Sequence, residues 1–228
     1  LVDADYSQIE LRLLAHISGD QAMVDAFRSG EDFHTVTAAH VFSVPVEEVT
    51  PAMRRAAKAV NFGIVYGISP FSLSQDLGVT VAEAKAYMDA YFHRFPGVKA
   101  YMDQVVERAR ADGYVETPMH RRRALPEIKS SNHNMRAFGE RVALNMPIQG
   151  AAADIIKLAM VRVHRQLKEA DLAARLIMQV HDELIVECPE TEADRVKAIL
   201  VREMEGAWPL SVPLIAEAHS GKSWLECH

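Results

Sequence analysis

Apolar and polar positions alternate over the first residues and then switch to helical spacing. "LVDADYSQIE" predicts a short strand running into a helix, with Ile9, Leu13 and Ile17 recurring along one face. "DQAMVDAFRSG" predicts a second helix closed by Gly30, and "EDFHTVTAAHVF" a third. Thr50-Pro51 is a helix start, with threonine as N-cap and proline at the first helical position, and the helix is expected to reach about Tyr66 with Gly67 at its end. Ser69-Pro70 repeats the signal and Gly78 stops that helix; Thr80 to Glu83 is a capping box opening another. "PGVKAYMDQVVERARADG" is a helix ending at Gly113. "YVETPMHRRRALPEIKSSN" reads as irregular apart from strand-like "YVET". A helix is expected from Asn134 to about Met146, broken by Pro147, with a second running to about Ala170. "RLIMQV", "LIVE" and "VPLIAEA" read as strands, with a helix from about Thr191 to Glu205 among them.

Strands at both ends and helices between them predict an α+β fold in which a helical insertion interrupts a sheet-containing core. A net charge of -6 excludes a general polyanion binder, so any nucleic-acid contact must come from local basic patches. Cys188 and Cys227 fit neither a metal spacing nor a disulfide framework, which points to a reducing, cytoplasmic setting. No apolar run reaches the roughly 20 residues of a membrane helix and no signal peptide is visible, so no membrane partner is expected. The chain opens inside an apolar segment without methionine, as expected of the C-terminal part of a longer protein.

Three stretches carry candidate chemistry. In "RRAAKAVNFGIVYG", Arg54, Lys58, Phe62 and Tyr66 recur every four residues, forming a stripe about 18 Å long that is cationic at one end and aromatic at the other. A phosphate chain suits Arg54 and Lys58, and a base or sugar suits the rings; a plain amphipathic helix fits the same spacing. In "DADYSQIE", Asp5 ends the strand, where a carboxylate binds Mg2+ or caps the following helix. Asp3 shares its strand face and is not separated from it by periodicity. In "QVHDELIVE", an acidic knot interrupts two apolar runs, as a solvated hairpin tip or a metal site does.

Taken together and in this order, these stretches resemble family A DNA polymerases, the bacterial DNA polymerase I group. "DYSQIELRLLAHISGD" is similar to that family's motif A, "RRAAKAVNFGIVYGIS" to motif B and "VHDELIVE" to motif C; "NMPIQGAAADIIKLAM" and "EAHSGKSWLECH" resemble further family segments. The resemblance covers nearly the whole chain. It implies an antiparallel palm sheet with a helical fingers subdomain inserted between its strands: residues 1–18 palm, 19–130 fingers and 131–228 palm, with the motif C hairpin near 176–188. The thumb, the first palm strands and any exonuclease domain would precede residue 1. The isolated segment is therefore expected to be weakly active or inactive, and its partners to include that missing thumb and palm segment.

The resemblance further implies DNA-directed DNA polymerase activity in a bacterial, nucleoid-associated setting, with primer-template DNA and deoxynucleoside triphosphates as partners. Two Mg2+ ions are implied as cofactors, with Mn2+ an expected substitute. Asp5, Asp182 and the Tyr6 carbonyl would be the metal ligands, with Glu183 a secondary catalytic residue and Lys58 a proton donor to the leaving pyrophosphate. Arg54, Lys58 and His34 would hold the triphosphate, Phe62 the sugar and Tyr66 the templating position, and Glu10 would exclude a 2′-hydroxyl. Arg141, Asn145 and Gln149 would reach the minor groove, His181 the primer end, and Arg121 and Arg122, beside Arg123, the template phosphates. Ala124 stands where the family commonly has an aromatic, and Phe33 where a smaller aliphatic is common. Two rivals remain: a non-catalytic DNA-binding polymerase fragment, and an HD-type metal phosphohydrolase, which would place His181-Asp182 on a helix.

Overall fold

The structure, a computed structural model, describes residues 1–227. The chain divides into two compact units, one built from residues 1–9 and 150 onward and the other from 10–149. The boundaries that the family resemblance implies, 18/19 and 130/131, lie nine and nineteen residues from these.

The first unit is organised by a four-stranded antiparallel sheet in the order β4 (Arg175–Val180), β5 (Glu183–Glu187), β1 (Val2–Tyr6), β6 (Ala216–Ser220). β1 is internal and short: its alternating apolar residues Val2, Ala4 and Tyr6 are all buried. Helix α9 (Ala193–Glu205) packs Val196, Leu200 and Met204 into the core, and the Tyr6 hydroxyl donates to the Met204 carbonyl at 2.6 Å, tying sheet to helix. Residues 150–169 of α8 (His133–Glu169) add Ile155, Ala159 and Val163. β4 is an edge strand, and its Ile177 and Met178 are 50% and 41% exposed.

The second unit is helical. Helices α1 (Ile9–Ser18), α2 (Gln21–Ser29), α3 (Phe33–Phe42), α4 (Pro51–Val65), α5 (Pro70–Leu77), α6 (Val81–Arg94) and α7 (Pro96–Asp112) precede a hairpin of β2 (Tyr114–Glu116) and β3 (Arg122–Ala124). The sequence signals act as expected: Thr50, Ser69 and Thr80 cap their helices, Thr80 and Glu83 complete the capping box, and Gly30, Gly78 and Gly113 close helices in the left-handed conformation. Phe33 is fully buried and stacks on Phe27 at 4.7 Å and against Phe95 at 5.5 Å, so the larger residue fills an aromatic cluster.

Three elements differ from the pattern. α8 continues through Pro147, although proline forfeits the bond to the carbonyl four residues back. Met146 and Ile148 on either side are buried, and packing outweighs that loss. "VPLIAEA" becomes strand only from Ala216, since Pro213 offers no ladder donor. Within the "HRRRA" segment, Arg122–Ala124 is strand rather than irregular loop: Arg123 pairs with Val115 and Arg122 with Glu116, and Ala124 faces solvent opposite Tyr114.

Candidate active site

In the first unit the sheet brings two distant carboxylates together. β4 and β5 are joined by the two-residue turn His181-Asp182, since Val180 pairs with Glu183. His181 has φ 52 and Asp182 is not left-handed, so only the first central residue carries the positive φ that usually calls for glycine. The turn is tied down: the Gln179 amide donates to the His181 carbonyl at 2.6 Å, His181 Nδ1 lies 2.7 Å from Asp182 Oδ1, and the Tyr6 N–H donates to the Asp182 carbonyl at 3.3 Å. β1 then sets Asp5 directly across from Glu183 on one side and Glu217 on the other. Asp182 lies beside Asp5.

Desolvation and the adjoining Asp182 push the Asp5 carboxyl up to about 6, with Glu183 and Asp3 adding to the effect. Two carboxylates so close cannot both ionise without cost. Glu183 is 5% exposed and accepts from Trp224 Nε1 at 2.7 Å, which ties it to the C-terminal segment. Asp5 caps no helix, since α1 begins at Ile9 after Gln8 at φ 56. Asp3 is 2% exposed, whereas Asp5 is open to solvent, so burial separates the two aspartates that periodicity could not. No cluster of three or more His, Cys, Asp or Glu groups that could hold a metal occurs among the described residues. An adjoining pair of carboxylates suits a hard cation that takes few protein oxygens, such as Mg2+.

The second unit carries the α4 stripe. Arg54, Lys58 and Tyr66 are exposed and Phe62 half-buried, while Ala57, Val60, Ile64 and Val65 are buried; the stripe faces out and the apolar positions face the core. Tyr66 lies just past α4, followed by Gly67 at φ 67; a side chain on Gly67 would meet Leu144 at 2.9 Å, so glycine allows both the turn and the close approach. The Tyr66 hydroxyl donates to Glu10 Oε2 at 2.6 Å, and Glu10 is 5% exposed. Phe62, Tyr66, Ser72 and Arg141 line a cavity of about 640 Å3.

His34 is buried with its ring 5.8 Å from that of Phe62, and burial pushes its pKa down to about 4. Asp32 opposes that shift, while Arg54 and Lys58 add to it. Asp32, which the sequence pattern did not single out, caps α3. It accepts from the His34 N–H at 3.1 Å, the Thr35 hydroxyl at 2.8 Å and Arg54 Nε at 2.5 Å. Its signal was an aspartate two residues before a histidine at a helix start. Asp32→Ala is expected to cost about 1 kcal/mol in denaturant unfolding, nearly all of it from the lost cap, because an exposed ion pair adds little. Asp32→Asn, which also caps, should fall within roughly 0.5 kcal/mol of the parent.

The expected DNA-contacting residues are spread. Arg141 and Gln149 are exposed, and Asn145 Oδ1 is buried without a hydrogen-bond partner. Arg122 lies 4.8 Å from the Tyr114 ring centroid and is ion-paired with Glu116, which also meets His120; Arg121 is exposed. Glu116 already compensates part of the basic character of this hairpin.

A mixed helix-and-sheet chain with one aspartate on a strand beside another in a hairpin turn, and a cationic-aromatic helix face, defines the class, and comparison with known proteins agrees. The model of DNA polymerase family A matches residues 1–226, and the chain belongs to that family. It is 56% identical over 223 residues to DNA polymerase I of Bacillus subtilis (strain 168), covering 98% of this chain and 25% of the relative. It is 53% identical over 226 residues to DNA polymerase I of Caldicellulosiruptor bescii, covering 99% of this chain and 27% of the relative. Among solved structures it is similar to the POL domain of Pol1 from M. smegmatis in complex with DNA primer-template and dNTP. The TM-score is 0.95 at 48% identity, covering 99% of this chain and 40% of that one. The chain thus spans about a quarter of the length of the curated relatives it matches.

Proposed function

We propose that this segment carries the nucleotidyl-transfer centre of a DNA-directed DNA polymerase, the first unit serving as palm and the second as fingers. The observation that carries the reading is the Asp5–Asp182 pair: two carboxylates from distant parts of the chain set side by side, with the Asp5 carboxyl pushed up to about 6. Asp5, Asp182 and the Tyr6 carbonyl would hold divalent cations. When bound, such cations lower the pKa of a primer 3′-hydroxyl and stabilise charge on the departing pyrophosphate.

The remaining roles belong to side chains of this protein. Arg54 offers a planar fork and Lys58 a mobile ammonium to the triphosphate, and Lys58 can hand a proton to the leaving group. Phe62 packs on the incoming sugar, Tyr66 guards the templating position, and Arg141, Asn145 and Gln149 inspect the minor groove, where every base pair shows common acceptors. His181 meets the primer end from a strained turn, a conformation that persists where function over-determines it. Arg121 and Arg122 meet template phosphates. Efficient polymerisation is proposed to need the thumb and early palm strands as well; the exposed apolar residues of edge strand β4 support a covering partner there. The HD-type rival loses its basis, since His181-Asp182 is a turn between strands and not part of a helix.

Substrate choice gives a direct test. Glu10 is held by the Tyr66 hydroxyl, so its carboxylate occupies a fixed place. Glu10→Ala is expected to raise ribonucleotide relative to deoxyribonucleotide incorporation at least about tenfold, measured as the ratio of kcat/KM values for the two nucleotides. An unchanged ratio would remove Glu10 from the nucleotide site.

A further inference from the structure

Behind the exposed stripe of α4 runs a buried polar chain in which Asn61 and Thr37, the partners of His34, have no role above. Asn61, on the same helix as Lys58 and Phe62, is 0% exposed, Thr37 1% and His34 3%. Asn61 Nδ2 lies 2.9 Å from His34 Nδ1. The Thr37 hydroxyl lies 3.1 Å from Asn61 Oδ1 and 2.9 Å from the Phe33 carbonyl, so its single proton is shared between two acceptors. The other ring nitrogen, Nε2, has no hydrogen-bond partner among the described residues.

We propose that Asn61 is a positioning residue: its amide donates to His34 Nδ1, fixes the neutral imidazole as the Nε2–H tautomer, and so offers a hydrogen-bond donor to a nucleotide phosphate. The inference rests on the reading of the α4 face as the nucleotide site. Three facts support it. Asn61 is held from its far side by Thr37, which fits an amide oxygen turned toward a hydroxyl donor. Burial and the nearby Arg54 and Lys58 keep the ring neutral, against the opposing Asp32. A neutral ring has one N–H only, and it can donate to a phosphate from Nε2 only if Nδ1 accepts. The reversed amide would accept from Nδ1–H and leave a lone pair facing the phosphate.

The ring itself supplies the first test. In 15N-histidine-labelled protein, the His34 signal, assigned by its absence in His34→Phe, is expected to show a protonated Nε2 and an unprotonated Nδ1. The reverse tautomer overturns the proposal. Asn61→Asp supplies the second, because a carboxylate accepts from Nδ1–H and so strips Nε2 of its proton. The KM for the nucleotide is expected to rise about tenfold near pH 8.5 with kcat little changed, the worth of one hydrogen bond to a charged group. Near about pH 6, protonation of the ring or of the new carboxyl restores the Nε2–H, and the ratio to wild type at the same pH should fall toward one. A loss independent of pH, or no loss, overturns the proposal. A KM unaffected by His34→Phe overturns the nucleotide reading of His34 and the proposal with it. A raised KM with the reverse tautomer overturns the proposal alone.

Discussion

Asp182→Asn is expected to slow single-nucleotide extension roughly a thousandfold and, at about pH 7.5, to raise the melting temperature of the protein that loses activity. The second half follows from the carboxylate pair. Asp5 titrates near 6 in the folded chain against an ordinary 3.8, so the folded state holds its proton more tightly than the unfolded state does. The stability penalty is absent at low pH, grows as pH rises through the window from about 4 to about 6, and stays in full above it. This is opposite in sign to the usual salt-bridged aspartate. An asparagine at position 182 removes the charge and offers a donor, so the penalty shrinks where Asp5 is ionised. Adding Mg2+ should stabilise the parent above pH 6 and leave the variant nearly unmoved, because only the parent keeps both carboxylates for the cation. Melting curves at several pH values, with and without Mg2+, check both statements; a variant less stable than the parent at every pH would contradict the mutual repulsion of the two carboxylates.

Lys58→Ala is expected to lower kcat/KM for nucleotide addition by roughly a hundredfold or more, combining a lost phosphate contact with a lost proton donor. Lys58→Arg separates the two. Arginine keeps the charge and does not release its proton near neutrality, so KM should recover while kcat stays low. Full recovery of kcat in Lys58→Arg would leave Lys58 as a phosphate ligand only. Steady-state kinetics with varied nucleotide distinguishes the cases.

Much of this was legible in the sequence because local chemistry agreed with the fold. The helix starts at Thr50-Pro51, Ser69-Pro70 and Thr80 were readable from caps that act within one turn, and the four-residue spacing from Arg54 to Tyr66 became an exposed face. The hairpin at His181-Asp182 was readable as strands flanking polar residues. What was not legible depended on residues far apart in the chain. Periodicity placed Asp3 and Asp5 on one face; only their cross-strand partners and burial tell them apart. Glu183 read as one member of an acidic knot, and its hold on Trp224, 41 residues later, was not visible. Pro147 carried a strong local stop signal that buried neighbours overrode, and Asn61 looked like an ordinary polar residue in a helix until its burial beside His34 was visible. The identity of the cation and the path of the DNA are carried by no spacing in the chain and rest on the family.

The most direct measurement is single-turnover addition of one deoxynucleotide to a primer-template by the polypeptide that carries this segment, followed across a Mg2+ titration. The parent is compared with Asp5→Ala, Asp182→Ala and the double variant. Incorporation is expected to rise with Mg2+ in the parent, to vanish on chelation, and to fall about as far in either single variant as in the double, because the two carboxylates act as one unit. Incorporation at the parental rate with both aspartates replaced would contradict the account.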